Sequence, residues 1–96
     1  MDFEKGSVVL VRCDRSGVHF GNFIARNGRE VTLENARRIW RWRGANTLNE
    51  IAASGIDKGW SRVSEPIGSV LILDCIEIMP VSPQALEKLL GCGWPK

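Results

Sequence analysis

The sequence predicts an α+β fold: a small twisted antiparallel β-sheet of five or six strands, or a partly closed barrel, with two short helices. Apolar, β-branched runs recur with a period of two. Asp/Ser/Gly and Asn-Gly turn chemistry separates the early runs. Helix-start signatures stand at Thr47 and Ser82. The 96 residues suffice for one core and not for two, so residues 1–96 are expected to form a single domain.

Taken in order, SVVLVRC (residues 7–13) is a buried strand, and Asp14-Arg15-Ser16-Gly17 supplies a turn with Gly17 free to take positive φ. VHFGNFIA (18–25) closes a hairpin, with Val18 and Phe20 on one face and His19, Gly21 and Phe23 on the other. Gly21 inside this strand predicts a bulge or a close approach by another backbone. Asn27-Gly28 predicts a second tight turn into EVTL (30–33), after which Glu34-Asn35 interrupts. Residues 36–43 resume as a strand, with Arg38, Trp40 and Trp42 on one side and Arg37, Ile39, Arg41 and Arg43 on the other. Thr47 and Glu50 form a capping box for a helix of about two turns that stops at Gly55. Residues 62–65 form a short strand. VLILDCIEIM (70–79) is a core element broken at Asp74-Cys75, because an unbroken strand would set Asp74 among apolar neighbours. Ser82 caps a last helix with Pro83 in its first position and Leu86, Leu89 and Leu90 on one face; Gly91 or Gly93 ends it.

Composition restricts the class. Apolar and charged fractions of 44% and 25% are those of a soluble globular chain. No apolar run approaches a membrane span, and MDFEKG lacks the apolar segment of a secretory signal. Cys13, Cys75 and Cys92 form no CxxC pattern, so free thiols in a reducing cytoplasm are expected. The net charge of +2 conceals a split: eight arginines face three acids between Arg12 and Arg43, a net of +5 that leaves −3 for the rest.

The densest part of that basic half is ARRIWRWRGANTLNEIA (36–52), where Arg37, Arg38, Arg41 and Arg43 interleave with Trp40 and Trp42. Guanidinium offers a planar fork to phosphate or carboxylate, and indole offers a flat face to a base or a guanidinium. Indoles on a strand more often fill a core than bind a ligand. If they are core, Arg37, Arg41 and Arg43 form a row on the solvent side; if exposed, they stack ligands beside Arg38. His19 and Phe20 are expected near this strand, Thr47 opens a helix whose amides suit an anion, and Asn46 ahead of it suits a sugar or base edge. These ten residues are the candidate ligand site.

Catalytic chemistry finds little support. His19 is the sole histidine, with no metal-ligand spacing around it, and the glycines match no phosphate-binding loop. Cys13 and His19 could face each other across the hairpin, but no third group is identifiable and a buried structural thiol is the better reading. A non-enzymatic protein without metal or cofactor is expected.

The segments GVHFG (17–21), ARRIWRWRGANTLNEIA (36–52) and IEIMP (76–80) resemble an uncharacterised family of small phage and prophage proteins. In that family they recur as AGVHFG, ARRIW-W-GA-(T/S)L and AIEI-P, over most of the chain. Ser16 and Cys75 stand here where the family has alanine. The resemblance implies phage origin and a place in the cytoplasm of an infected bacterium. One class of small phage protein sequesters nucleotide second messengers of bacterial immunity, binding phosphates with arginine and stacking bases on aromatics. By analogy the chain is expected to be an anti-defence sponge for a nucleotide-like molecule, a cyclic nucleotide or an ADP-ribose derivative. The alternatives are a nucleic-acid-binding module, for which the acidic remainder is unfavourable, and a phage protein-interaction or structural component.

A small sheet with open edges predicts self-association. Light scattering at micromolar concentration should give a multiple of the 10.7 kDa chain mass; the mass of one chain would refute it.

Overall fold

The apolar run expected to be most buried forms strand β1 (Val8–Cys13), in which Val9, Leu10 and Val11 have no exposed surface. Both faces of β1 are covered, which explains why its sequence is continuously apolar instead of alternating. The structure, a computed structural model, describes residues 3–93. β1 leads through a turn with Gly17 at φ 96° into β2 (Val18–Asn27), and the turn at Gly28 and Arg29 leads into β3 (Glu30–Arg41). Then follow helix α1 (Leu48–Ser54), the short β4 (Arg62–Val63), β5 (Ile67–Ile72), β6 (Cys75–Pro80) and helix α2 (Pro83–Leu90).

The described strands form one antiparallel sheet of six, ordered β4-β3-β2-β1-β6, with β5 also paired to β3. The sheet is not closed: β5 and β6 share no ladder although only Leu73 and Asp74 separate them. The fold is therefore α+β with an open, coiled sheet. One face packs Val9, Val11, Phe23, Leu33 and Ile72 against one another inside the coil. The other packs Leu10, Phe20 and Ile39 beneath α1 and α2, through Ile51, Ala52 and Leu89.

Two local features set this geometry. The expected irregularity at Gly21 is present: a side chain there would lie 2.9 Å from the Glu34 carbonyl and 3.0 Å from the Ala36 Cα. Between the pairs Phe20–Arg37 and Asn22–Glu34, β3 spends one more residue than β2, and Asn35, at φ 52°, is the surplus. Glu34-Asn35 is thus a bulge within one twelve-residue strand, not an interruption between two. The break after Ile72 is the second feature. Asp74 leaves the core, and its carboxylate accepts from the Arg15 amide at 2.6 Å, the Ser16 amide at 3.0 Å and the Ser16 hydroxyl at 2.7 Å. The Asp14 amide donates to the Asp74 carbonyl at 2.9 Å. These bonds fasten the corner between β5 and β6 to the turn between β1 and β2.

The helices follow their signatures. Ser82 accepts from the Ala85 amide, with Pro83 in the first turn, and its hydroxyl donates to the Ala53 carbonyl, so one side chain caps α2 and ties it to α1. Thr47 accepts from the Glu50 amide, but Glu50 reaches back to the Asn46 amide, one residue earlier than a capping box requires.

The bonds from Arg15 and then Ser16 hold the Asp74 pKa at about 2, below the ordinary 3.8. A carboxyl depressed in the fold stabilises fully above its ordinary value, and that stabilisation is lost as pH falls through the folded value. Asp74→Asn should lower Tm at neutral pH and flatten the loss of Tm between pH 3.8 and about 2. Parallel acid limbs for the two proteins in thermal melts would refute the clamp.

Candidate functional site

β3 outlasts its partner β2 at its C-terminal end, and its last residues meet the loop 57–61 instead. The strand expected over residues 36–43 ends at Arg41, and its alternation holds only as far as Ile39: Ala36 and Ile39 are buried on opposite faces, Trp40 points away from the core, and the pairing with β4 shifts register between Ile39 and Arg41. Trp40, Trp42 and Trp60 are 50%, 36% and 38% exposed, so the indoles of the arginine strand do not fill the core. The core positions are already occupied by Ile39 and Val63, which pair across β3 and β4.

Arg41 lies over Trp60 at 4.2 Å from its ring centroid and 5.8 Å from that of Trp40; Arg43 lies 5.5 Å from Trp60. The result is a basic ladder of alternating guanidinium and indole. Trp60 is the member that sequence reasoning missed. Its one sequence signal was Arg62 two residues on, a spacing that does not repeat the adjacent Trp40-Arg41 and Trp42-Arg43 pairs.

The arginines also build their own support. Arg41 donates through Nε and Nη2 to the Trp60 carbonyl at 3.1 and 2.8 Å, and Arg43 Nε donates to Asp57 at 2.7 Å. That bond from Arg43 is the main reason the Asp57 carboxyl titrates below its ordinary range. Arg62 donates to the Gly59 and Ser61 carbonyls. Buried Ser61 accepts from the Arg43 amide. Loop 57–61 is thereby bound to the strand end, and part of each guanidinium is spent on it.

The other candidates separate from this ladder. His19 and Phe20 pair in register with Arg38 and Arg37, as expected of the adjoining hairpin, but both are buried. His19 Nε2 donates to the Ser16 carbonyl at 2.9 Å, and burial lowers its pKa, so it is a neutral strut, not an anion contact. Phe20 belongs to the core under the helices. Arg38 is exposed beside Gly17, at the mouth of a cleft of about 300 Å³ that it shares with His19, Arg37, Ser64 and Glu65. Asn46 and Thr47 are committed to capping α1, where the Glu50 carboxylate already occupies the first turn. An anion arriving there meets the Glu50 carboxylate, which weighs against the expected phosphate contact.

Arg37 stands at a gap. β5 pairs with β3 up to Ala36, and β4 begins pairing at Ile39. Pro66 has no amide to donate there, and the Ser64 hydroxyl takes the Arg38 amide at 2.8 Å in place of a backbone group. Arg37 lines the clefts on both sides of the gap.

Burial pushes the thiols of Cys13, Cys75 and Cys92 up, which leaves them protonated and unreactive. Among the described residues no three His, Cys, Asp or Glu side chains converge as metal ligands, and no helix is long and apolar enough to cross a membrane.

Compared with known proteins, the sequence model of the family Domain of unknown function (DUF6948) matches residues 6–89. No curated protein matches, and no solved structure matches.

The bracing predicts a local phenotype. Arg41→Ala should leave the sheet intact and release loop 57–61, with the Gly59 and Ser61 amides exchanging roughly fivefold faster, equivalent to about 1 kcal/mol of local opening. Arg41→Lys should not restore protection, because lysine lacks the fork. Unchanged exchange at both amides in Arg41→Ala would refute the bracing role.

Proposed function

We propose that the chain, which belongs to the family Domain of unknown function (DUF6948), is a non-catalytic binder of a nucleotide-like ligand. The supporting observation is the ladder itself: Trp40 and Trp60 alternate with Arg41 and Arg43, and Trp42 beside them is also open to solvent, on a strand end and loop held by hydrogen bonds. A base stacks on an indole face, while the guanidinium edges not used by the loop take a phosphate. The bracing fixes both before the ligand arrives, which reduces the ordering cost of binding.

In this reading Trp40 and Trp42 are the stacking faces, Arg41 and Arg43 the phosphate contacts, and Arg38 an outlying cation. Arg37, His19, Phe20, Asn46 and Thr47 shape the fold around them. The protein acts as an anti-defence sponge: a phage product in the infected cell's cytoplasm, self-associated, that holds a cyclic nucleotide or ADP-ribose derivative without altering it. The openness of the ladder favours a second reading, single-stranded nucleic acid, because stacking on an exposed surface tolerates any base.

Calorimetry against cyclic nucleotides, ADP-ribose and a short oligonucleotide separates the two. The sponge reading expects saturable binding of a mononucleotide-sized ligand, recovered intact after denaturation. Trp40→Ala should weaken it about tenfold while Tm stays near wild type. Binding that appears only with the oligonucleotide would replace it with the second reading. Hydrolysed ligand, or wild-type affinity in both Trp40→Ala and Arg43→Ala, would overturn it.

A further inference from the structure

β4, β5 and β6 are the outer strands of the sheet, and two of them are guarded. β4 carries Arg62, and the chain beyond α2 lies along it, with the Val63 amide donating to the Gly93 carbonyl at 3.1 Å. β6 carries Glu77 and Pro80, and its first amide, that of Cys75, donates to the Arg29 carbonyl at 3.1 Å. Charge, proline and covering chain are the devices that keep a sheet edge from pairing with another strand. β5 has none of them. From Ile67 to Leu73 the chain reads IGSVLIL, without charge or proline, and β5 runs against β3 without a register shift. No main-chain group of residues 67–73 bonds to a described residue outside that ladder. Val70 and Ile72 pack inside the coil, so Ser69 and Leu71 point outward, and Leu71 and Leu73 are 55% and 64% exposed.

We propose that the bare edge of β5 pairs with β5 of a second copy of the chain, antiparallel about a two-fold axis at Val70, so that two sheets become one. This gives the self-association named above a surface and does not depend on the ligand. The run is its own complement. In this register Ser69 opposes the partner's Leu71, Gly68 the partner's Ile72, and Ile67 the partner's Leu73, with inward and outward side chains matched. Pro66 meets the partner's Asp74 only at the ends, so no like charges oppose. A slip of one residue would set Glu65 against the partner's Asp74 and turn outward side chains against inward ones. A two-fold pair of identical edges is also the commonest form of assembly. Seven residues run about 23 Å, and with side chains on both faces such an edge covers roughly 450 Å². A standard interface takes about 800 Å² from each partner, so the pairing falls at the weak end, with a Kd on the order of a micromolar.

The test is light scattering across the micromolar range, with amide exchange on the same samples. The mass should climb towards twice 10.7 kDa, and exchange within residues 67–73 should slow as it climbs. Ser69→Lys places a cation on the edge, opposite Glu34 of its own chain, so it suits the single chain and should weaken pairing about tenfold. Leu71→Glu should do the same, and it carries the comparison alone should Ser69→Lys fail to fold; unchanged exchange in β2 reports that each sheet is intact. A mixture of the two variants should regain mass, because position 69 of one chain faces position 71 of the other. Trp40→Ala should associate as wild type does. Wild-type association in both edge variants, or a mixture no heavier than its parts, would overturn this interface and leave self-association standing. The mass of one chain throughout would overturn both.

Discussion

The close approach of Gly21 to the backbone of Glu34 and Ala36 is the constraint on which the rest of the architecture turns. Only a residue without a Cβ lets β3 press there, and only there does Asn35 take the left-handed conformation that adds one residue to β3. The extra residue inverts the side-chain parity of the strand. Before it, Val31 and Leu33 face the inside of the coil; after it, Ala36 faces the coil and Ile39 faces the helices. Without the bulge, Ile39 would point into the coil and Arg38 would point beneath α1 and α2. One glycine and one asparagine thus decide which half of β3 is core and which displays arginine.

The hairpins, the helix caps and the break at Asp74 were legible in the sequence because each is a local signal: Gly17, Gly28, Thr47, Ser82, and a carboxylate inside an apolar run. The alternation expected over residues 36–43 was legible for the same reason as far as Ile39, but the register shift after it and the strand end at Arg41 were not. How that alternation related to residues 30–33 was not, since parity across Glu34-Asn35 depends on the partner strand. Strand order was equally hidden. That β3 shares one edge between β4 and β5 follows from where Pro66 interrupts pairing, a tertiary fact with no periodic signature.

The candidate site was legible as composition and illegible as geometry. The pattern foretold a face that presents arginine, but the indoles were expected more often in the core, and the exposure of Trp40 and Trp42 came from the structure. Sequence spacing could not foretell that Arg41, Arg43 and Arg62 would each spend donors on a loop distant in sequence, or that Trp60 would be drawn into the ladder by them. Nor could the signature of a capped helix reveal that Glu50 neutralises its own N-terminus through Asn46. Arginine-rich segments carry this ambiguity generally, because the same planar fork that captures a ligand also captures carbonyls of the chain.

β1 is the most buried strand, yet its two neighbours come from opposite ends of the chain: β2 follows it at once, and β6 closes its other edge. On the ribosome, the β1–β2 hairpin emerges early with one edge bare and stays so until residues 75–80 leave the exit tunnel. The Asp74 clamp, which ties the β5–β6 corner to the β1–β2 turn, cannot close before Asp74 emerges either. Between the emergence of β2 and that of β6 the nascent chain therefore carries an uncovered apolar strand edge, an interval in which a neighbouring nascent copy or a chaperone competes with β6 for the same edge.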